Sequence, residues 1–239
     1  MVLGRRTGRD LEILPGHARV SALSNATRDP NISTQWPMQF SLEANMQIDE
    51  AYAELNIVQD FIPVGNSNRP GTKLVLTGIT IHNTDNPDKG ANAAAHAKYQ
   101  KGADARRRQV SWHFTVDDTS VYQSLPTNEI GWHAHNSKGN RTTIGVEICM
   151  NSDLDVKAAY QRAALLVAVL AFQNKVTVPK GIFQHHDWYQ KDCPTVLRHE
   201  ENGWANFLDQ IKAALGGLTP VPAAALALDK KNKDHHLLD

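Results

Sequence analysis

The sequence predicts an α/β protein with one main domain, and three observations support this prediction. Apolar runs rich in β-branched residues, which are typical of buried strands, recur along the middle of the chain. Segments rich in alanine and leucine, which are typical of helices, alternate with these runs, and no internal repeat is present. The 239 residues, of which 41% are hydrophobic, can bury one sizeable core, so one main domain with appendages is favoured over two equal domains.

The first predicted strand leads to a histidine. A turn cluster at residues 66–71 precedes an apolar, β-branched run from Lys73 to His82. This pattern is typical of an inner strand of a sheet. His82 is therefore expected at the end of a buried strand.

A helix and a hairpin are predicted next. Asn92 to Lys101 is rich in alanine and favours a helix. Val110 to Val116 and Ser120 to Gln123 read as two strands, and the Asp117-Asp118 pair between them is suited to a tight turn. The two strands are therefore expected to form an antiparallel hairpin.

Thr143 to Cys149 predicts a further strand that carries an acidic residue. Successive side chains of a strand point to opposite faces, so Gly145, Glu147 and Cys149 are expected on one side. The carboxylate of Glu147 then faces inward or toward a cleft.

Two long helices complete the predicted domain. Asp155 to Gln173 has the alanine, leucine and valine content of a packed helix, and Asn202 to Leu215 is amphipathic and followed by two glycines. The longest apolar run, Ala163 to Phe172, is about half the length that a membrane-spanning helix needs. We expect it to be a buried helix, with no membrane span.

The main domain is expected to span residues 47–216, with an appendage at each end. Residues 1–46 show no sustained period, which fits an irregular extension or a separate docking segment. Residues 217–239 shift to proline, alanine and lysine, which fits a flexible tail or linker. No apolar segment follows Arg5-Arg6 before Pro15, so no export signal is evident and synthesis in the cytoplasm is expected.

Charge and cysteine content exclude several function classes. Twenty-five basic and 25 acidic residues cancel, so no global field attracts the chain to nucleic acid or to an anionic membrane. Two cysteines, Cys149 and Cys193, are too few for a disulfide scaffold, although one bridge between them stays open as an alternative. Any polymer that the chain binds must be held by local contacts.

The segment from Gln184 to Pro194 concentrates reactive side chains, with two imidazoles, a thiol, carboxylates and an amine. Catalytic zinc sites commonly use three ligands from His, Cys and carboxylate and leave a fourth position for water. His82, Cys193 and one of the adjacent His185 and His186 satisfy that count. Adjacent side chains of an extended segment point to opposite faces, so one of that pair is expected to face the metal. The pattern favours a zinc hydrolase.

Five short motifs occur in order along the chain. They are Ile81-His82-Asn83-Thr84, Ser111-Trp112-His113-Phe114, Trp132-His133-Ala134, Ile144-Gly145-Val146-Glu147, and Gln184-His185 followed by Lys191-Asp192-Cys193-Pro194. Together they resemble the zinc-dependent N-acetylmuramoyl-L-alanine amidases of the amidase-2 type, which include phage lysozymes, autolysins and peptidoglycan recognition proteins. The resemblance covers roughly residues 56–215. It implies a central mixed β-sheet flanked by helices, and a catalytic domain at residues 47–216.

The resemblance also implies roles for the matched residues. His82, His185 and Cys193 correspond to the ligands of Zn2+, with His185 preferred over His186 because it lies eight positions before the cysteine. Glu147 corresponds to the base that takes a proton from the attacking water. Lys191 corresponds to the cation that stabilises the oxyanion. The alternatives are a surface salt bridge for Glu147 and a solvated loop charge for Lys191.

Four further residues are expected to contact the glycan or the stem peptide, namely Asn83, Trp112, His113 and His133. As single residues, such histidines are more often satisfied core or rim residues. Trp112 and Gln190 depart from residues that are common in the family, and Trp112 argues against a tyrosine-assisted mechanism. His96 and His199 have no partners at metal-ligand spacing and are expected at ordinary helix or surface positions.

The sequence therefore predicts a peptidoglycan hydrolase that cleaves the amide between N-acetylmuramic acid and L-alanine of the stem peptide. It is expected to act on the cell wall after phage release or export by a non-classical route. One alternative is a peptidoglycan-binding or sensing module that does not cut. Another is an amidase cargo of a phage or secretion assembly, for which residues 1–46 would provide the docking segment.

Overall fold

A computed structural model of the chain describes residues 46–220. Residues 1–45 of the predicted extension and residues 221–239 of the predicted tail lie outside this range. The strands are β1 (Met46–Gln47), β2 (Ile57–Gln59), β3 (Gly78–Asn83), β4 (Phe114–Val116), β5 (Val121–Gln123), β6 (Thr143–Ile148), β7 (Ile182–Gln184) and β8 (Leu218–Thr219). The helices are α1 (Ile48–Leu55), α2 (Ala93–Lys101), α3 (Ala103–Arg108), α4 (Ser137–Thr142), α5 (Val156–Asn174), α6 (Thr195–His199) and α7 (Gly203–Gly217), with a 3-10 turn at His185–Asp187.

A six-stranded mixed sheet with flanking helices organises the fold. Its strand order is β2-β5-β4-β6-β3-β7, and β1 pairs separately with β8. The predicted hairpin is present, since β4 and β5 pair antiparallel. The other pairs in this sheet run parallel. The predicted α/β class with a mixed sheet is therefore confirmed.

The parallel centre of the sheet brings three strand ends to one edge. β3 lies between β6 and β7 and pairs in parallel with both. The register places His82 opposite Glu147. Because the carboxyl ends of parallel strands meet at the same edge, the residues that end or follow these strands lie close together, and such an edge is where α/β sheets bind ligands.

Helix α5 forms the centre of the core. Asp155 caps its first turn by accepting a hydrogen bond from the backbone N–H of Ala158. Residues 163–171 are all buried, because α5 packs against strands β3, β4 and β6 as well as against α1 and α7. The apolar run predicted to be a buried helix is thus explained by neighbours on several sides. Within residues 46–220, no helix has the length and apolarity to cross a membrane.

Element boundaries differ from the sequence prediction at two places. The strand predicted from Lys73 begins only at Gly78, because residues 74–77 bond to residues 128, 141 and 142 outside the sheet ladder and Val75 is exposed. Helix α7 continues through Gly216 and Gly217, the glycines predicted to end it, and β8 follows directly.

Candidate active site

Three buried side chains converge at the carboxyl edge of the sheet. His82 lies in β3, His185 opens the 3-10 turn after β7, and Cys193 follows on the same loop. His82 Nδ1 lies 3.1 Å from His185 Nδ1 and 3.9 Å from Cys193 Sγ. Within residues 46–220, these three residues form a group whose ligand atoms all lie within 4.8 Å of one another.

The donor set fits a tetrahedral zinc ion. Bonds of about 2.0–2.1 Å to nitrogen and about 2.3 Å to sulfur place neighbouring ligand atoms roughly 3.3–3.6 Å apart, close to the spacings of this group. Burial lowers the pKa of His82 well below its ordinary value and that of His185 to about 4, so both rings are neutral, as metal ligands must be. Burial raises the pKa of the Cys193 thiol to about 12. A bound cation would therefore be needed to keep Cys193 ionised as a thiolate.

The loop after β7 is folded so that His185, and not His186, faces this group. The Gln184 backbone N–H donates to the Asp187 carboxylate at 2.8 Å, which forms part of a capping box around the 3-10 turn. His186 points elsewhere, and its Nδ1 lies 3.0 Å from the carbonyl oxygen of Lys191. The loop closes where the His186 N–H donates to the Cys193 carbonyl. Both Cys149 and Cys193 are free thiols, so the alternative of a disulfide is wrong.

Glu147 lies beside His82 with one oxygen unpaired. Its Oε1 is 3.9 Å from His82 Nδ1, and its Oε2 is buried without a hydrogen-bond partner among the described residues. Burial raises the pKa of Glu147 to about 8, an effect that the charge of Lys191 opposes and that of Asp85 reinforces. The alternative of an exposed surface salt bridge does not describe this carboxylate, whose side chain is 13% exposed.

Lys191 lies at the rim of the site, paired with Asp85. The Nζ atom is 2.8 Å from Asp85 Oδ2, and both side chains are about two-fifths exposed, at 42% and 41%. Burial lowers the pKa of Lys191, but the hydrogen bond to Asp85 and the charges of Asp85, Cys193 and Glu147 together raise it above its ordinary value, so the amine stays charged. Lys191 is thus a fixed cation at the edge of the site.

These residues open into a groove of about 630 Å³. Its lining includes His185, Glu147 and Lys191. One wall is aromatic, since Trp112 and Tyr99 stack with ring centroids 6.3 Å apart. The groove therefore reaches the candidate ligand His185 and the Glu147 carboxylate.

Comparison with known proteins agrees with this geometry. Residues 72–196, more than half of the chain, match the amidase-2 family of N-acetylmuramoyl-L-alanine amidases. The chain belongs to this family. The resemblance that the five motifs predicted is therefore confirmed.

Two N-acetylmuramoyl-L-alanine amidases of Bacillus subtilis (strain 168) are among its relatives. XlyA is 46% identical over 165 residues, which make up 68% of this chain and 52% of XlyA. CwlH is 42% identical over 163 residues, which make up 67% of this chain and 62% of CwlH. The chain thus spans less than two thirds of the length of each relative.

Solved structures of the family share the fold. The catalytic domain of XlyA matches with a TM-score of 0.61 and 46% identity, over 65% of this chain and 99% of that domain. PlyL matches with a TM-score of 0.58 and 26% identity, over 67% of this chain and 98% of PlyL. The similarity therefore extends over nearly the whole length of both solved chains.

The four residues expected to contact substrate have different environments. Trp112 lines the groove and donates its Nε1–H to Thr115 Oγ1 at 2.7 Å. Asn83 also borders the groove, but its amide donates to the Tyr160 hydroxyl and accepts from the Val196 N–H. Trp112 is thus placed to touch a ligand, whereas Asn83 ties β3 to the cysteine loop.

His113 does not reach the groove, which corrects the sequence expectation. It is completely buried, with Nε2 2.8 Å from the Glu129 carbonyl and Nδ1 accepting the Gly145 N–H at 3.0 Å. Burial lowers its pKa to about 4, so the ring is neutral. With both nitrogens bound to backbone, His113 joins the start of β4 to β6.

His133 borders the groove, but its ring contacts His82. Its Nδ1 lies 3.0 Å from His82 Nε2, and its Nε2 lies 3.3 Å from the Thr143 carbonyl. Burial lowers its pKa to about 3. His133 therefore contacts His82 and the first residue of β6.

Three residues of the site were missed by sequence reasoning. Asp85 pairs with Lys191, and His135 stacks between His185 and Tyr189. His96, expected at an ordinary helix position, borders the groove and has a buried Nε2 without a partner in residues 46–220. Asp85 directly follows the motif that ends at Thr84, and His135 directly follows the motif that ends at Ala134, so their positions in the sequence could have indicated them. Nothing in the sequence distinguished His96.

Proposed function

We propose that this chain is an N-acetylmuramoyl-L-alanine amidase that hydrolyses the amide between the lactyl group of N-acetylmuramic acid and L-alanine of the stem peptide. The observation that carries the proposal is the buried group of His82, His185 and Cys193 with the unpaired Glu147 carboxylate beside it. Three candidate zinc ligands next to a base that lines a groove form the arrangement that metal-assisted hydrolysis requires.

Zinc held by His82, His185 and Cys193 would polarise the scissile carbonyl and acidify water. The chain's own residues supply the remaining chemistry. Glu147 accepts the proton of the attacking water at its carboxylate, whose Oε2 has no hydrogen-bond partner among the described residues. Glu147 then returns that proton to the departing amine of L-alanine.

Lys191 contributes the positive charge that this reaction needs. Negative charge develops on the carbonyl oxygen when water attacks, and a cation fixed nearby stabilises that charge more than it stabilises the neutral amide. Asp85 holds the lysine amine at 2.8 Å and so limits its positions. The aromatic wall with Trp112 would contact the substrate on one side of the scissile bond.

The test is to digest purified peptidoglycan with the intact chain and measure free N-terminal L-alanine. We expect release of L-alanine without new reducing sugar ends. The Glu147→Gln variant should lose about 10²- to 10⁴-fold of the rate, which is the typical contribution of a general base. That variant should still bind close to one zinc per chain.

Two results would contradict this proposal. Wall binding by the wild-type chain without release of L-alanine would favour the binding or sensing module. Full activity of Glu147→Gln would remove the carboxylate from the mechanism. A chain that begins near Gln47 tests the docking hypothesis separately, since it should keep activity on purified wall and lose delivery if residues 1–46 bind an assembly.

A further inference from the structure

Both metal-facing histidines are contacted from behind by one short segment, His133 to His135, which we call the 133–135 segment. His82 points its Nδ1 toward the ligand group and its Nε2 toward His133 Nδ1, 3.0 Å away. His185 points its Nδ1 toward the same group and its Nε2 toward His135 Nδ1, 3.3 Å away.

These contacts determine which nitrogen of His82 carries the proton. A backbone carbonyl can only accept, so His133 Nε2 donates to the Thr143 carbonyl and His133 Nδ1 keeps a lone pair. That lone pair accepts a hydrogen bond from His82 Nε2–H. The Nδ1 of His82 is then left unprotonated, which is the form that binds a metal.

The same reasoning applies to His185. A neutral imidazole has one donor nitrogen, and both ring nitrogens of His185 have a partner: Nδ1 lies 3.1 Å from His82 Nδ1, and Nε2 lies 3.3 Å from His135 Nδ1. When His185 Nε2–H donates to His135 Nδ1, the Nδ1 of His185 is left unprotonated, which is the form that binds a metal. Two unprotonated Nδ1 atoms then face each other at 3.1 Å, where a cation is needed to offset their repulsion.

Asn140 in α4 holds the 133–135 segment in place. Its Oδ1 accepts the backbone N–H of His133 at 3.0 Å and that of Ala134 at 2.8 Å. Two glycines leave room for the segment. A Cβ on Gly145 would lie 2.7 Å from the His133 ring, and a Cβ on Gly139 would lie 2.7 Å from Ala134 Cβ. The segment is thus fixed by one side-chain acceptor and two close approaches.

We infer that Asn140 is a positioning residue for the metal centre, acting through the 133–135 segment to set the tautomer and orientation of both His82 and His185. Asn140 belongs to none of the five motifs and contacts neither His82 nor His185. The inference rests on the proposed zinc site but not on the proposed reaction. Partners behind metal-binding histidines typically change metal affinity about 10- to 100-fold when they are removed.

The test compares Asn140→Leu with Asn140→Asp. Aspartate keeps an oxygen that can accept both backbone N–H groups, whereas leucine has a similar size and no acceptor. Zinc affinity is measured on the full metal-free chain by competition with a chromogenic chelator, and unfolding of the metal-free variants is measured in parallel. We expect Asn140→Leu to bind zinc about 10- to 100-fold more weakly and Asn140→Asp to stay within a few-fold of wild type.

Asn92→Leu is the matched control for general destabilisation. Asn92 caps α2 by accepting the Ala95 N–H, a bond of the same kind in which no residue of the 133–135 segment takes part. We expect this variant to lose stability and to keep zinc affinity. If Asn92→Leu weakens zinc binding as much as Asn140→Leu does, or if Asn140→Leu binds zinc like the wild type, the inference is wrong.

Histidine nitrogen NMR of the metal-free wild type gives a second measurement, which remains informative if Asn140→Leu does not fold. We expect the Nε2–H tautomer for His82, His133 and His185. An Nδ1–H tautomer at His82 would overturn the inference. Failure of the wild type to bind zinc at all would instead contradict the proposed function.

Discussion

The two halves of the ligand group are held in different ways. On the strand side, which comprises His82 and Glu147, β3 is buried along its whole length and pairs with β6 and β7 on its two edges. On the loop side, residues 185–193, the backbone leaves the sheet and several residues near the cysteine are exposed. Cys193 is buried there chiefly because the loop folds back onto Asn83, whose backbone N–H donates to Sγ at 3.4 Å.

This difference indicates which half depends on the metal. Strand residues are fixed by a ladder of backbone hydrogen bonds and by core packing, so their positions persist without a ligand. A loop with few such bonds gains order from any ion that binds it. The strand side is therefore expected to be preformed, and the loop side to be stabilised by zinc.

The largest expected effect separates the two sides by removing one ligand from each. Both Cys193→Ala and His82→Ala should lower zinc affinity by more than about 100-fold, beyond the cost of losing an outer partner. The metal-free proteins should differ. Loss of the His82 ring leaves buried His133 Nδ1 without its donor and should cost about 1–3 kcal/mol, whereas Cys193→Ala should cost less. Chelator competition and urea unfolding measure the two quantities, and equal metal-free stabilities would contradict the comparison.

A pH experiment isolates Glu147 on the strand side. Its folded pKa of about 8 lies above the ordinary 4.5, so the folded protein holds a proton that the unfolded chain releases, and stability falls as pH rises toward 8. The buried histidines have the opposite sign. With folded pKa values near 4 for His113 and His185, they stabilise above about 6.5 and lose that contribution as pH falls toward 4.

Between about pH 6.5 and 8, the neutral histidines therefore make their full contribution to the free energy of unfolding. In the same window the contribution of protonated Glu147 is still present and falls as the pH rises. We expect the free energy of unfolding of the metal-free wild type to decrease across this window. The Glu147→Gln variant should decrease by less, because glutamine does not titrate. Parallel pH profiles for the two proteins would mean that Glu147 is ionised in the folded state at pH 6.5.

An intermediate effect is expected at Asn83, the residue that joins the two sides. Its side chain donates to the Tyr160 hydroxyl at 2.8 Å and accepts the Val196 N–H at 3.1 Å, all in buried or half-buried surroundings. Asn83→Ala should cost about 1–3 kcal/mol because buried partners lose their hydrogen bonds. Hydrogen exchange should increase at residues 185–198 more than in β6. An equal increase in both regions would show that Asn83 supports the fold as a whole.

The sequence predicted most of the structure on the strand side and little of it on the loop side. The β-branched runs around His82 and Glu147 predicted strands, and alternation predicted that Glu147 faces a cleft. The start of β3 was misplaced at Lys73, because an apolar run does not reveal that residues 74–77 pair outside the sheet. His113 was assigned to the groove because a motif match does not show that Gly145 N–H and the Glu129 carbonyl occupy both of its nitrogens.

The contacts behind the ligands could not be predicted from spacing. His133 and Asn140 act through hydrogen bonds to backbone groups and to a ring nitrogen, which depend on the close approach that Gly145 permits. His135 has a backbone φ of +48°, an unusual conformation for a non-glycine residue that no pattern in the sequence indicates. The resemblance predicted the three candidate ligands, whereas only the tertiary structure shows the hydrogen bonds behind them.

The smallest expected effect concerns the exposed end of the loop side. Asp192 binds Arg198 Nε at 2.8 Å and lies 2.6 Å from His199 Nε2, and its side chain is 52% exposed. Such surface pairs contribute about 0–1 kcal/mol, so Asp192→Asn should change the free energy of unfolding by less than about 1 kcal/mol.

The exposed pair of Asp209 and Lys212 on α7 provides the control, because Asp209→Asn removes a similar contact on a separate helix. If the loop side is the half that zinc orders, Asp192→Asn should lower zinc affinity slightly and Asp209→Asn should leave it unchanged. Equal zinc affinities for all three proteins would mean that the ion pairs of Asp192 do not help to hold the cysteine in place.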